Sequence, residues 1–220
     1  MTHPLEVRDM VVTSDRGRPI LAVPRFDLAA GEAAVITGPS GAGKSTLLYA
    51  IAGLVTVAEG TVRWGETELS ALGDAGRTAF RRDNLGFVFQ DHMLFEELSA
   101  LDNSALAAAY APRRDRAALR AGAGQMLDHL GLKREGRGTH SYSGGERQRI
   151  AVARALASDP GIILADEPTA SLDRATADRL TDDLLALSAR GRSLLIVSHD
   201  PVLQARIGRK VQVLDGTLAA

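Results

Sequence analysis

The residues best suited to chemistry form one unbroken run, Gly38-Pro39-Ser40-Gly41-Ala42-Gly43-Lys44-Ser45, which fits the pattern G-x-x-x-x-G-K-[ST]. Its glycines let successive backbone N–H groups converge on phosphate oxygens, and a helix beginning at Lys44 adds the positive end of its dipole. Lys44 can reach the β- and γ-phosphates, Ser45 offers a hydroxyl to Mg²⁺, and Thr46 follows as a further phosphate contact. A plain glycine-rich turn beside a surface lysine is the competing reading. The apolar strand expected over 33–37 and the helix formers over 44–52 provide the flanking context that favours phosphate binding. The run predicts a nucleoside-triphosphate site.

A second constellation lies at Ile162-Ile163-Leu164-Ala165-Asp166-Glu167-Pro168, an apolar strand that ends in two acids. Asp166 is placed to hold Mg²⁺, directly or through water, and strand alternation sends Glu167 elsewhere, where a carboxylate could deprotonate an attacking water. The third is Tyr142-Ser143-Gly144-Gly145-Glu146-Arg147-Gln148-Arg149. Ser143 and Glu146 have the spacing of a capping box at a helix start. The two glycines weaken a first helical turn by about 1 kcal/mol each, and they make sense if a phosphate of another molecule approaches the backbone closely. Local chemistry leaves both readings standing.

Elements must hold these groups in place. Short strands are expected over 5–12, 20–28, 33–37, 61–64, 85–89, 162–165 and 193–197. Helices are expected over 44–52, 101–111, 113–130, 144–158 and 173–189, several of them stopped by Gly53, Pro112, Gly131 or Pro160. Strand–helix alternation of this kind predicts an α/β fold with a parallel sheet, interrupted by a helical insertion. The chain has 220 residues, 45% of them hydrophobic and 24% charged, which suits one globular domain rather than a disordered one. With no cysteine, disulfide frameworks, thiol nucleophiles and thiolate metal sites are excluded. A net charge of −1 lacks the electrostatic footprint of a dedicated nucleic-acid binder. The longest apolar run, 47–55, falls far short of the ~18 residues of a membrane span, and the first residues carry no secretory signal pattern.

Taken together the sequence resembles an ATP-binding cassette ATPase, the nucleotide-binding subunit of ABC transporters, over essentially its whole length. The phosphate loop is 38–45, the Q-loop glutamine matches Gln90, the signature matches Ser143-Gly144-Gly145-Glu146 and the Walker B pair matches Asp166-Glu167. The D-loop matches Ser171-Leu172-Asp173 and the switch histidine matches His199. Within the family, the residues around Gln90, Ser143 and Asp166 are similar to the branch that releases lipoproteins or exports macrolides, which also holds the cassette partner of a cell-division membrane protein.

This resemblance implies a P-loop NTPase (RecA-like) core over 1–90 and 159–220, including an N-terminal antiparallel β subdomain, with a helical signature subdomain over 91–158. ATP and Mg²⁺ are the implied cofactors, with Ser45, Gln90 and Asp166 toward the metal and Lys44, Gln90, Glu167 and His199 in catalysis. Two copies would pack head to tail, so that Ser143–Glu146 and Asp173 act across the dimer. Transmembrane permease subunits are the other implied partners, placing the chain at the cytoplasmic face of the inner or plasma membrane. The stretch 91–95 would either form a groove for such a subunit or be plain core, whereas His92 and His140 read as solvated loop residues. Two departures stand out. No aromatic precedes the phosphate loop where cassettes stack adenine, Phe26 being the one aromatic before Gly38, and Tyr142 replaces the usual Leu ahead of Ser143. A regulatory cassette in a cell-division complex is one alternative. A soluble DNA-repair or translation ATPase is another, disfavoured because coiled coils, zinc modules and a second cassette are missing; the signature disfavours a P-loop kinase or GTPase.

Overall fold

A computed structural model describes residues 3–133 and 138–219. Its ten strands form one continuous sheet in the order β5-β4-β1-β2-β10-β9-β3-β8-β7-β6. One half is antiparallel: β1 (Leu5–Thr13) lies between β2 (Pro19–Leu28) and β4 (Glu59–Trp64), with the short β5 (Thr67–Glu68) at the edge. The other half is parallel: β9 (Arg209–Leu214), β3 (Ala33–Thr37), β8 (Ser193–Val197), β7 (Ile162–Asp166) and β6 (Leu85–Val88). The final strand β10 (Thr217–Leu218) joins the halves, antiparallel to β9 and in parallel register with β2 at Thr217–Ala22.

Burial explains why the two halves differ in sequence. The parallel strands β7 and β8 are covered on both faces and are buried at every residue, hence their unbroken apolar runs. Strand β1 alternates instead, with Leu5, Val7, Met10 and Val12 inward. The alternation slips by one because Asp9 takes a left-handed conformation (φ +46), and the pairing of β1 with β4 shifts there. Trp64 closes this core, its indole N–H donating to the carbonyl of Ile51 at 2.8 Å, at the end of helix α1 (Lys44–Ile51).

Helix α2 (Asp74–Asn84) precedes β6 and was not among the helices expected from the sequence; Phe80 is its one buried residue, among small and charged side chains. Between β6 and β7 the described residues hold helices, turns and one isolated bridge, Ser99–Gly138. The helix expected over 101–111 is two pieces, α3 (Ala100–Ser104) and α4 (Ala107–Tyr110). Beyond Ser104 the ladder changes to i→i+3 bonds, from Ala108 to Ala105 and from Ala109 to Leu106. Asn103, fully buried, anchors α3 by bonding the backbone of Phe95, Leu98 and Ser99. Next come α5 (Arg113–His129) and α6 (Gly144–Leu156), which pack with α3 around Leu127, Tyr142, Ile150 and Ala153. Tyr142 is therefore a core residue, 5% exposed. The chain ends with α7 (Arg174–Ala189) before β8 and the short α8 (Pro201–Arg206) before β9.

Candidate active site

The phosphate loop leaves β3 at Thr37 and enters α1 at Lys44, as strand–turn–helix context requires. Gly38 has φ +143, and a Cβ there would stand 2.1 Å from the carbonyl oxygen of Val213 on β9, so no other residue fits. Gly43, at φ +103, sits at the N-cap of α1 without a side-chain cap, which leaves the first-turn amides to a ligand. The Lys44 ammonium bends back over the loop and donates to the carbonyls of Gly38 (3.0 Å) and Pro39 (2.8 Å).

A cleft of about 380 Å³ opens over this loop. Ser40, Gly41, Gly43, Lys44, Ser45 and Thr46 form one wall; Gln90, Asp166, Glu167 and His199 form the other, with Val197. Gln90 follows β6, Asp166 ends β7 and His199 follows β8, so three adjacent parallel strands deliver these groups from their C-terminal ends. Val197 is a lining residue that sequence reasoning did not single out, since an apolar strand end carries no chemical signal. Among the described residues, no Phe, Tyr or Trp lines the cleft. Phe26 lies elsewhere, buried in β2 with the Arg209 guanidinium 5.4 Å from its ring centre.

The two acids are held differently. Asp166 is almost fully buried; burial pushes its carboxyl above the usual range, while the neighbouring Ser45 hydroxyl and the Lys44 ammonium pull it back. Its Oδ2 is buried without a hydrogen-bond partner. A buried, unpaired carboxylate oxygen beside a hydroxyl and an amide is a hard oxygen donor set, which fits Mg²⁺ held by a few protein oxygens and substrate phosphates. No cluster of three or more His, Asp or Glu that could cage a metal exists among the described residues, in keeping with that arrangement.

Glu167 is re-aimed by the backbone rather than by simple alternation. It adopts φ +49, unusual for a long side chain, and its N–H donates to the Val197 carbonyl at 2.9 Å. One carboxylate oxygen accepts the His199 backbone N–H at 3.2 Å; the other, Oε1, is buried without a hydrogen-bond partner and stands 3.7 Å from His199 Nε2. Burial raises the carboxyl above its ordinary range, opposed by the His199 amide and ring. A carboxylate of raised basicity at the edge of a phosphate cleft can accept a proton from water.

The remaining sequence candidates lie outside this cleft. Ser143 and Glu146 form both arms of a capping box on α6: Ser143 Oγ accepts the Glu146 N–H at 3.3 Å, and Glu146 Oε2 accepts the Ser143 N–H at 2.8 Å. That leaves the amides of Gly144 and Gly145, which have no carbonyl within the helix to reach. Gly145 also has a reason within the chain, because a Cβ there would come within 3.0 Å of the Ser171 carbonyl oxygen. Asp173 caps α7 by accepting the Thr176 N–H at 3.0 Å. His92 departs from expectation: it is half-buried at φ +61, beside Gln148, with its Nε2 shielded from water and without a hydrogen-bond partner. His140 is exposed as expected.

The ABC transporter family model matches residues 21–170, a span that contains the phosphate loop, Gln90, the capping box and the Asp166–Glu167 pair. The chain belongs to the ABC transporter family. The lipoprotein-releasing system ATP-binding protein LolD of Novosphingobium aromaticivorans is 44% identical over 195 residues, covering 88% of this chain and 87% of that protein. The macrolide export ATP-binding/permease protein MacB 1/2 of Paracoccus denitrificans is 40% identical over 198 residues, covering 89% of this chain and 29% of that longer protein. Among solved structures, the ABC transporter cassette MJ0796 superposes with a TM-score of 0.90 at 32% identity, covering 98% of this chain and 97% of that one. That cassette is dimeric, both in this structure and in a post-hydrolysis state bound to ADP and Pi. The cassette described here therefore shares the fold of an ATP-binding cassette from end to end.

Proposed function

We propose that this cassette binds and hydrolyses ATP as the motor subunit of a lipoprotein-releasing transporter, working as a pair of identical chains beneath separate membrane subunits. The observation that carries the reading is the cleft in which the phosphate loop faces a buried, unpaired Asp166 oxygen and a Glu167 of raised basicity. Relatives named for lipoprotein release, matched over most of their length, favour that branch. No described helix is long and apolar enough to cross a membrane, which fits a partner chain that does.

Each residue has a task in this reading. Amides of 38–46, with the Lys44 ammonium, hold the β- and γ-phosphates and neutralise charge that builds up during transfer. Ser45, Asp166 and Gln90 hold Mg²⁺, which supplies Lewis-acid charge to the phosphates when bound. Glu167 takes the proton of the attacking water; His199, 3.7 Å away, orients that water and marks the γ-phosphate position. The amides of Gly144 and Gly145 at the start of α6 close the site from the second copy, with Asp173 beside them, so an isolated monomer is incomplete. The helices between 91 and 158 form the part that a membrane subunit contacts.

Phosphate release with Mg²⁺ and ATP tests the motor. Turnover should rise with the square of protein concentration at high dilution, because only pairs are complete; turnover strictly proportional to concentration throughout overturns the shared site. Identification of the membrane subunit tests the branch. Four transmembrane helices and a large extracytoplasmic domain support it, and a six-helix importer permease refutes it.

A further inference from the structure

Two of the most exposed apolar side chains of the cassette, Met93 and Phe95, are 56% and 52% exposed and stand two residues apart, just beyond Gln90. Exposed apolar groups on a loose tip would mean little, but this backbone is tightly held. Asn103 accepts the Phe95 N–H at 2.8 Å and donates to its carbonyl at 2.9 Å, and Thr139 donates to the same carbonyl at 2.8 Å. Upstream, His92 and Met93 both adopt left-handed conformations, φ +61 and +51, although neither is glycine. The Met93 N–H reaches the Asp91 carbonyl at 2.6 Å, an i→i+2 bond around a positive-φ residue, which is the rare and strained form of γ-turn.

What holds this turn is a side chain from another element. Arg154, near the end of α6, donates through Nη2 to the His92 carbonyl at 2.6 Å and through Nη1 to the Met93 carbonyl. One planar guanidinium thus spans two consecutive strained carbonyls, a geometry that a lysine ammonium cannot reproduce. Gln148, fewer than two turns earlier on the same helix, is fully buried beside the half-buried His92 ring. Helix α6 begins at the Ser143–Glu146 capping box and ends on this turn, so it links the proposed phosphate-closing end to the exposed pair. Gln90 stands in the nucleotide cleft, inside the turn that the His92 N–H closes on the Phe89 carbonyl at 3.1 Å.

We infer that Arg154 is a positioning residue that holds the strained His92–Met93 turn, so that Met93 and Phe95 are presented rigidly to the membrane subunit and that subunit's effect on ATP turnover passes through α6. This rests on the reading of the chain as the motor of a membrane complex. Because Arg154 touches neither the phosphate loop nor the acids, its removal should separate coupling from basal hydrolysis.

The test compares phosphate release by the cassette alone with that of the nanodisc-embedded complex, purified through a tagged copy of this chain. With Arg154→Gln the cassette alone should stay within about threefold of wild type, while stimulation by the membrane subunit falls about tenfold. Arg154→Lys keeps the charge but reaches one carbonyl at a time, and should lose about threefold; it also carries the test should the glutamine variant fail to fold. Adding His92→Gly to Arg154→Gln should restore at least about half of the lost stimulation, because glycine adopts positive φ without a clamp. Neither a charge effect nor general loosening of α6 would be reversed by that glycine. Full stimulation in both arginine variants, or no recovery with glycine, overturns the inference. Absence of hydrolysis by the wild-type cassette would instead overturn the motor reading.

Discussion

Replacing Glu167 by Gln preserves shape and removes one function. The glutamine carbonyl can still accept the His199 N–H, held at 3.2 Å in the native protein, and its amide group can face the histidine ring where Oε1 stood at 3.7 Å. The proton acceptor is lost. General-base catalysis contributes about 10²–10⁴-fold, or about 3–5 kcal/mol of barrier at 1.36 kcal/mol per decade, and kcat should fall by that factor. ATP affinity should hold or rise, because one negative charge near the γ-phosphate is gone. Stability moves the other way from activity. Burial raises the Glu167 carboxyl, so the fold disfavours its charged form. Its stabilising contribution is present below the unfolded pKa of about 4.3 and is lost as pH rises through the raised folded value. At neutral pH the glutamine variant should therefore melt higher than wild type, by about 2–4 °C for each kcal/mol recovered, and near pH 4 the two should converge. Steady-state phosphate release, ATP binding by equilibrium dialysis and thermal scans at both pH values decide the matter. Turnover within about fivefold of wild type, or an activity loss that tracks a lower melting temperature, refutes the assignment.

Other perturbations test the frame around the site. Gly38→Ala places a Cβ 2.1 Å from the Val213 carbonyl oxygen and should abolish ATP binding or folding. Gly41→Ala, at φ +77 with open space around it, should cost only about 1–2 kcal/mol by melting. Trp64→Phe deprives the buried Ile51 carbonyl of its donor and should cost about 1–3 kcal/mol, a fall of about 2–12 °C by calorimetry. Asp102 is held below the usual carboxylate range by the Ser99 hydroxyl and by Arg120. Its contribution is present above the unfolded pKa and lost as pH falls through the folded one, so Asp102→Asn should lower the melting temperature at pH 7 but not at pH 2–3; for so exposed a pair the loss should stay below about 1 kcal/mol.

Much of the fold was legible because its signals are local. The apolar runs of β7 and β8 and the strand–glycine–helix passage from β3 to α1 need no distant contact to be recognised. Helix α2 was missed because Phe80 is its one large apolar anchor among small and charged residues, and β10 because two residues carry no pattern, whereas β9 alternates over six residues and was legible in principle. The break between α3 and α4, where the bonds shift to i→i+3, carries no Gly or Pro that would mark it in the sequence. His92 reads as a solvated loop residue until α6 is seen to pack Gln148 and Arg154 against it.

By itself, then, the sequence determined which groups could bind phosphate, carry a metal and accept a proton, since residue type and spacing fix that chemistry. Tertiary structure decided where they point. Parallel register of β6, β7 and β8 brings Gln90, Asp166 and His199 to one edge, a left-handed backbone at Glu167 turns its carboxylate toward the histidine, and the Ser171 carbonyl leaves little room for a side chain at Gly145. Each depends on contacts between residues far apart in the chain, whose energies no local pattern records.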